Sequence, residues 1–252
     1  MDLGIAGRRA LVTGGSRGLG RAAAGSLAAE GCAVVIAARG GEAVERAVGE
    51  LRAAGAKAEG VTVDMAAPEG PARAVAEAER LVGPIDILVA NAGGPPQGSF
   101  SEVDEEGWRI AVEQNLLGTV RLIRAALPGM RERGWGRIVT ITSRTAREAA
   151  DELALSNATR AGVAGVVRSV AREAGRDGVL ANNVMPGAIL TDRLRELLDE
   201  DALARRAQAV PLGRIGRPEE VGDLIAFLAG ERASFINGAS ILVDGGESRV
   251  IA

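Results

Sequence analysis

The sequence predicts one α/β domain over residues 1–252, built on a doubly wound parallel sheet of about seven strands with helices on both faces. Short apolar runs alternate along the chain with longer helical patterns, which is typical of strands joined by helices. Aromatic residues make up only 2% of the chain, so Val, Leu, Ile and Ala must build the core, as in buried parallel strands. No linker, repeat or low-complexity tract divides the chain. Right-handed crossovers then give the doubly wound arrangement.

The individual elements follow from their apolar runs and from the residues that end them. The predicted strands are Arg9–Thr13, Ala33–Ala37, Ala58–Val63, Ile85–Ala90, Arg137–Thr142, Val179–Met185 and Ser240–Val243. The predicted helices are Leu19–Glu30, Glu42–Ala54, Glu69–Leu81, Val103–Met130, Leu155–Ala174, Ile189–Ala209 and Pro218–Ala229. The helix at 189–209 is expected to be broken. Its charged stretch Thr191–Arg206, called the flap below, is expected to be mobile and to cover a site beyond a strand's carboxyl end.

Composition and charge exclude several classes of protein. The net charge of −3 offers no basic excess for nucleic acid or anionic lipid. No run of ~18 apolar residues predicts a membrane span, and the N-terminus lacks the pattern of a signal peptide, so a cytoplasmic location is expected. The single cysteine, Cys32, rules out an internal disulfide, and its place at the start of an apolar strand predicts a buried, unreactive thiol. No metal site is predicted.

A glycine-rich turn after the first strand is the main local indication of function. Residues 13–20 read Thr-Gly-Gly-Ser-Arg-Gly-Leu-Gly between a strand and a helix. Gly14 permits the tight turn, Gly18 lets the backbone approach a pyrophosphate, and Gly20 allows close packing of the helix. The helix N-terminus adds N–H donors and a positive dipole end. The spacing is Gly-x-x-x-Gly-x-Gly, and a purely structural turn remains an alternative. The predicted dinucleotide-binding residues of this turn are Gly14, Ser16, Arg17, Gly18, Leu19 and Gly20.

The end of the second strand indicates which dinucleotide is bound. An acidic residue here would bind a ribose 2′-hydroxyl and repel a 2′-phosphate, whereas the chain has Arg39. An arginine favours the phosphate through charge-assisted hydrogen bonds, and Arg17 can reach the same place. The sequence therefore predicts NADP(H) rather than NAD(H). The alternative is that Arg39 is one solvated arginine among many.

Further landmarks follow in order along the chain. Asp64 and Met65 follow the third strand, and Asn91-Ala92-Gly93 follows the fourth. Asn115 lies in a helix, Ser143 ends the fifth strand, and Pro186-Gly187 follows the sixth, with Thr191 shortly after. The last strand lies between Asn237-Gly238 and Asp244-Gly245-Gly246.

This succession resembles the short-chain dehydrogenase/reductase family, of the length typical of 3-oxoacyl-carrier-protein reductases, over essentially all 252 residues. The resemblance implies a Rossmann fold and nicotinamide-dependent hydride transfer. It places the glycine turn, Asp64, Met65, Asn91, Ala92 and Gly93 on the adenine side of the site. Asn115, Ser143, Pro186 and Gly187 are placed on the nicotinamide side, and Thr191 at a position that usually holds the nicotinamide amide or the phosphates.

The chain departs from this family at its proton donor, because it contains no tyrosine, no histidine and one lysine, Lys57. The family's Tyr stands thirteen residues after the Ser and its Lys four residues later. Counting from Ser143 reaches Ser156 and Arg160, which should share one helix face. A seryl hydroxyl is much less acidic than a phenol with a pKa of ~10. Arg160 stays charged and cannot relay a proton, but it can hold the nicotinamide ribose, which is the other role of the Lys.

Several groups near the site are candidates to replace the missing donor. Ser143 is expected to polarise a carbonyl oxygen, with Asn157 as a helper. An alternative for Ser156 is a helix N-cap. The candidate substitute donors are Arg144, Arg147, Glu148, Asp151 and Glu152. Arg144, Arg147 and Arg193 together suggest an anionic substrate, such as a carboxylate or a phosphopantetheine-bearing thioester.

The predicted function is an NADP(H)-dependent oxidoreductase acting on a small carbonyl/alcohol pair or a C=N bond, with Asn115, Ser143, Ser156 and Arg160 as its catalytic residues. One alternative is a non-redox isomerase, dehydratase or cyclase on the same scaffold. Another is an inactive nucleotide-binding protein. The resemblance also implies a homodimer or homotetramer that associates through the helices at 103–130 and 155–174.

Overall fold

Seven strands form one parallel sheet in the computed structural model, which describes residues 1–251. The strand order is β3-β2-β1-β4-β5-β6-β7, and every neighbouring pair is parallel. The strands are β1 Arg9–Thr13, β2 Ala33–Ala38, β3 Ala58–Thr62, β4 Ile87–Asn91, β5 Gly136–Ile141, β6 Val179–Pro186 and β7 Ser240–Val243. The predicted α/β class and doubly wound sheet are confirmed, because each expected strand forms with ends shifted by at most two residues.

Nine α-helices connect and cover the strands within residues 1–251. They are α1 Gly18–Ala29, α2 Gly41–Ala53, α3 Gly70–Val82, α4 Glu105–Ala111, α5 Gly118–Glu132, α6 Ala154–Ala174, α7 Asp192–Leu197, α8 Glu200–Ala209 and α9 Pro218–Ala229. The break expected within 189–209 is confirmed: Leu198 has an extended backbone, and Asp199 caps α8 by accepting a hydrogen bond from the Ala202 N–H.

The helix predicted at 103–130 differs from the structure in two ways. It begins at Glu105, because the Asp104 side chain accepts a hydrogen bond from the Gly107 N–H and so caps the first turn. It is also interrupted by a π-helical segment at Val112–Leu117, between α4 and α5. Such segments often occur at functional sites, and this one contains Asn115.

The sheet is buried between two helical layers. Side chains of β2 alternate between the faces, so that Val34 and Ile36 pack under α1, α2 and α9, whereas Val35 and Ala37 pack under α3, α5 and α6. Burial on both faces explains why the central strands β1, β2, β4 and β5 read as nearly continuous apolar runs. Cys32 joins this core: it is 1% exposed, and burial raises the pKa of its thiol to about 12. The prediction of an unreactive cysteine agrees with both observations.

The strand order reverses direction between β1 and β4, and this places the predicted site. The chain winds outward from β1 to β2 and β3, then returns to β4 and continues to β7 on the other side. A crevice therefore opens at the carboxyl ends of β1 and β4, where ligands bind in this class of fold. Among residues 1–251, no helix combines the length and the apolar character needed to cross a membrane.

Candidate functional site

The glycine turn after β1 has a shape that side chains would disrupt. Gly14 and Gly18 have φ angles of +59° and +56°, in the left-handed region that favours glycine. A Cβ on Gly14 would lie 2.7 Å from the Asn91 Nδ2 atom, and one on Gly20 would lie 2.3 Å from the Gly14 carbonyl oxygen. Arg17, which precedes α1, makes no side-chain cap hydrogen bond. The N-terminus of α1 thus keeps N–H donors for an anion such as a diphosphate.

Asn91 joins the ends of β1 and β4. Its backbone N–H donates to Thr13 Oγ1 at 3.0 Å, and the Thr13 hydroxyl donates to the Asn91 carbonyl at 3.0 Å. The Asn91 Nδ2 group donates to the Gly14 carbonyl at 3.4 Å. The side chain of Asn91 therefore holds the glycine turn against β4, a positioning role that the sequence alone did not indicate.

Further residues predicted for the adenine side lie in the glycine turn and at the ends of β2 and β3. Arg17 and Arg39 are both exposed, and no carboxylate lies within 4 Å of either guanidinium among residues 1–251. Asp64 is exposed, and one of its carboxylate oxygens accepts a hydrogen bond from the Ala66 N–H at 3.0 Å. Met65 beside it is half-buried, and Ser16 and Leu19 of the glycine turn are also half-buried. These positions leave two unpaired cations on the side where a 2′-phosphate was predicted.

Two serines and a threonine meet on the other side of the crevice. Ser143 follows β5, and its Oγ accepts a hydrogen bond from the Thr145 N–H at 3.2 Å. Ser156 lies in the first turn of α6, with its Oγ 3.0 Å from Thr145 Oγ1. Thr145 is only 4% exposed, whereas Ser156 is half-buried, so the pair of hydroxyls lies at the edge of the buried interior. Leu153, not Ser156, occupies the N-cap position of α6, so the alternative interpretation of Ser156 as a cap is wrong.

Arg160 lies one helical turn beyond Ser156 and is 6% exposed. Its Nη1 donates to the Ile141 carbonyl at 3.2 Å, and its Nη2 donates to the carbonyls of Ala92 at 3.2 Å and Gly93 at 3.4 Å. Its Nε has no partner. Burial, and secondarily the charge of Arg193, lowers the pKa of Arg160 to about 10. A buried cation bound only to carbonyls is costly unless an anion or polar ligand also reaches it.

Asn115 is fully buried in the π-helical segment. Its Nδ2 donates to the Ala111 carbonyl at 3.3 Å, while its Oδ1 has no partner. Leaving such a buried acceptor without a hydrogen bond costs ~1–3 kcal/mol. Buried polar groups without a partner are rare in native proteins, so this one suggests a functional role. Asn115 and Arg160 are thus two sequence-predicted residues with an unsatisfied buried polar atom.

The other candidate donors are not brought into the crevice. The Asn157 Oδ1 atom accepts a hydrogen bond from the Ala150 N–H at 3.2 Å, and its Nδ2 donates to the Ala150 carbonyl at 3.0 Å. The prediction that Asn157 assists Ser143 is therefore wrong. Glu148 pairs with Arg144 at 3.6 Å and accepts a hydrogen bond from the Arg249 N–H at 3.2 Å. Asp151, Glu152 and Arg147 are exposed. The loop between β5 and α6 turns these charged groups toward solvent, where their hydration is kept.

The residues that follow β6 bring the flap over the crevice. Gly187 packs so tightly that a Cβ on it would lie 2.6 Å from the Asp244 Cβ, while Pro186 ends the strand. The Thr191 side chain caps α7, and its Cγ2 lies 3.5 Å from the position of a Cβ on Gly18. Arg193 donates to the Gly94 carbonyl at 3.2 Å. The flap therefore touches the crevice at both the glycine turn and the segment after β4.

A buried carboxylate that the sequence analysis missed anchors the flap. Glu247 is 7% exposed and binds Arg206 of the flap and Arg144, the latter at 3.3 Å. It also accepts a hydrogen bond from the Ala188 N–H at 3.3 Å. Glu247 stands near the end of the chain and belongs to no local motif, so only the folded structure could associate it with the site. Thr145 was missed too, although its position two residues after Ser143 was a usable signal.

A nicotinamide dinucleotide fits the residues at this edge of the sheet. The glycine turn is a cradle that a Cβ would fill, the α1 N-terminus has uncapped donors, and Asn115 and Arg160 each have an orphaned buried atom. No cluster of metal-ligating side chains is found among residues 1–251. These features suit a phosphate-bearing ligand with a polar ring at its other end.

Comparison with known proteins supports the same conclusion. A family model described as enoyl-(acyl carrier protein) reductase matches residues 14–248. The chain is 37% identical over 247 residues to 3-oxoacyl-[acyl-carrier-protein] reductase FabG of Aquifex aeolicus, covering 98% of this chain and 99% of that protein. It belongs to the short-chain dehydrogenase/reductase family.

Other members of the family are similar in sequence and structure. Short-chain reductase protein NovJ of Streptomyces niveus is 35% identical over 243 residues, covering 94% of this chain and 92% of that protein. L-sorbose reductase from Gluconobacter frateurii, complexed with NADPH and L-sorbose, matches with a TM-score of 0.94 at 33% identity over 100% of both chains. Membership of the family identifies this protein as an oxidoreductase. Its substrate and coenzyme preference depend on its own residues.

Proposed function

We propose that this protein is an NADP(H)-dependent oxidoreductase that reduces or forms a carbonyl or C=N bond, with Ser156 and Arg160 where its relatives have Tyr and Lys. The observation that carries the proposal is Arg160. It is a buried guanidinium, held by the carbonyl of Ile141 at the end of β5 and by that of Ala92 after β4, with its Nε still without a partner. Such a group suits the role of binding the nicotinamide ribose. The relatives described as NADPH complexes support the coenzyme.

Each part of the coenzyme has residues of this chain to hold it. The N–H groups of Gly18, Leu19 and Gly20 at the start of α1 bind the diphosphate. The guanidinium groups of Arg17 and Arg39 bind the 2′-phosphate, since no carboxylate neutralises them among residues 1–251. The remaining proposed contacts are Gly14, Ser16, Asp64, Met65, Asn91, Ala92, Gly93, Arg160, Pro186, Gly187 and Thr191. When bound, the nicotinamide supplies or accepts the hydride.

The proton that accompanies the hydride must come from another source than a phenol. Ser143 has its Oγ lone pair engaged by the Thr145 N–H, which leaves its own proton to donate to a substrate oxygen. Ser156 and Thr145 share a hydrogen bond at 3.0 Å and provide a short hydroxyl path beside it. Losing a placed general acid costs ~10²–10⁴ in rate, or about 3–5 kcal/mol. Orientation of the reactants supplies more, ~7–11 kcal/mol, so a slower hydride transfer is expected.

Binding and turnover can be measured separately. Calorimetry with NADPH and NADH is expected to give tighter binding of NADPH, and the Arg39→Glu variant should reverse the preference. A screen that follows NADPH absorbance with ketones, imines and 3-oxoacyl thioesters then tests turnover. Absence of NADPH binding would refute the proposal, as would carbonyl reduction that appears only in the Ser156→Tyr/Arg160→Lys variant.

The absence of tyrosine from the chain favours one alternative, a non-redox isomerase, dehydratase or cyclase on the same scaffold. It predicts a change in substrate mass or structure without any change in nucleotide oxidation state. An inactive nucleotide-binding protein predicts tight NADPH binding with no reaction in either assay. Mass spectrometry of the same screen separates these outcomes.

Self-association is proposed through α4, α5 and α6. The α6 residues Ala158, Ala161 and Gly165 are all exposed, so these small side chains do not pack on the chain's own sheet and leave room for a second helix. Exposed Ile110 and Leu117 lie nearby, on α4 and the π-helical segment. We expect a homodimer or homotetramer. A monomeric mass by light scattering at micromolar concentration would contradict it.

A further inference from the structure

Two arginines converge on the three residues that follow β4. Arg160 of α6 donates to the carbonyls of Ala92 and Gly93, at 3.2 and 3.4 Å. Arg193 of α7 donates to the next carbonyl, that of Gly94, at 3.2 Å. A Cβ on Gly94 would lie 2.8 Å from the Arg193 Nη1 atom, so the guanidinium lies directly on this backbone. The two cations are thus bound to successive peptide groups at the mouth of the crevice.

Neither cation is neutralised. Among residues 1–251, no carboxylate lies within 4 Å of either guanidinium. Their charges are close enough for Arg193 to contribute, after burial, to the lowered pKa of Arg160. Like charges held together in a partly buried place repel one another. Carbonyl dipoles offset this only in part, and an anion beside both groups would remove the repulsion.

The other arginines near the crevice do not share this arrangement. Arg144 is neutralised by Glu148 and Glu247, at 3.6 and 3.3 Å. Arg147 is exposed on the loop that precedes α6. Of the three arginines that suggested an anionic substrate from the sequence, Arg193 is therefore the one whose charge is both available and fixed at the crevice.

We infer that Arg193 forms a subsite for a carboxylate of the substrate, while Arg160 beneath it serves the nicotinamide ribose, so that short oxoacids are preferred to neutral ketones. This inference rests on the proposed function and names its substrate class. Arg160 lies one helical turn, or ~6 Å along the axis, from Ser156. Because the guanidiniums of Arg160 and Arg193 share the Ala92–Gly94 backbone, the subsite borders the same crevice as Ser156, which suits a short oxoacid whose carbonyl lies beside Ser143 and Ser156.

The first experiment compares a charged substrate with its neutral analogue. The probes are acetoacetate and methyl acetoacetate, at saturating NADPH, with wild type and Arg193→Gln. We expect the wild type to prefer acetoacetate in kcat/KM, and the variant to lose roughly ten- to a hundredfold on the acid, mainly in KM, as for one charged hydrogen bond. The ester should change little. Arg195→Gln is the control, since Arg195 is an exposed arginine on the same short helix.

A second experiment does not need turnover. Calorimetry with butyrate and butyramide, on protein saturated with NADP⁺, is expected to show binding of butyrate that Arg193→Gln weakens about tenfold or more. Equal binding of butyrate and butyramide by the wild type would overturn the inference. So would a variant that loses NADPH affinity while keeping its preference for the acid, because Arg193 would then serve the coenzyme phosphates.

The two proposals fail in different ways. Carbonyl reduction with no preference for the acid would overturn the carboxylate subsite and leave the oxidoreductase standing. Butyrate binding that depends on Arg193, without reduction of any carbonyl or imine in the screen, would support the subsite and refute the hydride transfer.

Discussion

Glu247→Gln is expected to loosen the flap without disturbing the sheet. Glu247 is a buried carboxylate that binds Arg206 of the flap, Arg144 beside Ser143, and the Ala188 N–H. The amide would keep the shape of the side chain but remove its charge. Two arginines would then face each other across the position of Glu247, and only Arg144 would retain another carboxylate, Glu148 at 3.6 Å.

The magnitude follows from the burial of the three side chains. Removing one partner of a fully buried ion pair costs ~3–5 kcal/mol. The Glu247 side chain is 7% exposed, but those of Arg144 and Arg206 are 20% and 31% exposed. Water can therefore solvate the two arginines in the variant and reduce the cost. We therefore expect a cost of about 2 kcal/mol for holding the flap in place.

Limited trypsin digestion measures this cost directly, because Arg205 and Arg206 lie in α8 of the flap. When opening is fast relative to cleavage, the digestion rate follows the open population, and about 2 kcal/mol corresponds to roughly thirtyfold faster cleavage. The global midpoint of urea unfolding should fall by less. Glu219→Gln, an exposed carboxylate on α9, is the matched control. Cleavage within twofold of the wild type would refute the assigned role of Glu247.

Three further predictions test the glycine turn, the hydroxyl pair and the dependence of stability on pH. Gly14→Ala should abolish NADPH binding, because a Cβ at φ +59° is strained and would lie 2.7 Å from the Asn91 Nδ2 atom, so the glycine turn would be distorted. Gly55→Ala is the control: φ is +86° and no atom lies within 4 Å, so it should only lower stability by ~1–2 kcal/mol. Thr145→Val should lower kcat strongly while leaving the midpoint of urea unfolding nearly unchanged, and Thr145→Ser should keep the kcat of the wild type. Equal kcat values of the two variants would show that the threonine hydroxyl takes no part in the mechanism. Hydrogen bonds, first of all from Arg214, lower the pKa of Glu220 from 4.5 to about 2. The stability that this carboxylate contributes is therefore complete above pH about 4.5 and is lost as the pH falls toward 2. Between these pH values, the free energy of unfolding measured with urea should fall less steeply with falling pH in Glu220→Gln than in the wild type. An equal dependence on pH in the two proteins would contradict the assignment.

The sheet was predictable because its signals are local. Continuous apolar runs of four to eight residues, closed by glycines or polar turns, mark strands that are buried on both faces, as at Arg9–Thr13 and Gly136–Ile141. A break in the helix predicted at 189–209 was expected, but the cap by Asp199 that begins α8 was not. The π-helical segment at Val112–Leu117 was not foreseen, since its apolar spacing resembles that of an ordinary helix.

The fold class and the glycine turn could be predicted from the sequence because each depends on residues close together in the chain, whereas Ser143, Ser156 and Arg160 were predicted from the resemblance to the family and its spacing. Which buried polar groups find hydrogen-bond partners, and which do not, became known only from the folded structure. It used Asn157 on the Ala150 backbone and left Arg160 buried without a carboxylate. The physical reason is that the free-energy cost of burying a charged group or an amide depends on its solvent exposure and on hydrogen-bond partners that lie far away in the chain.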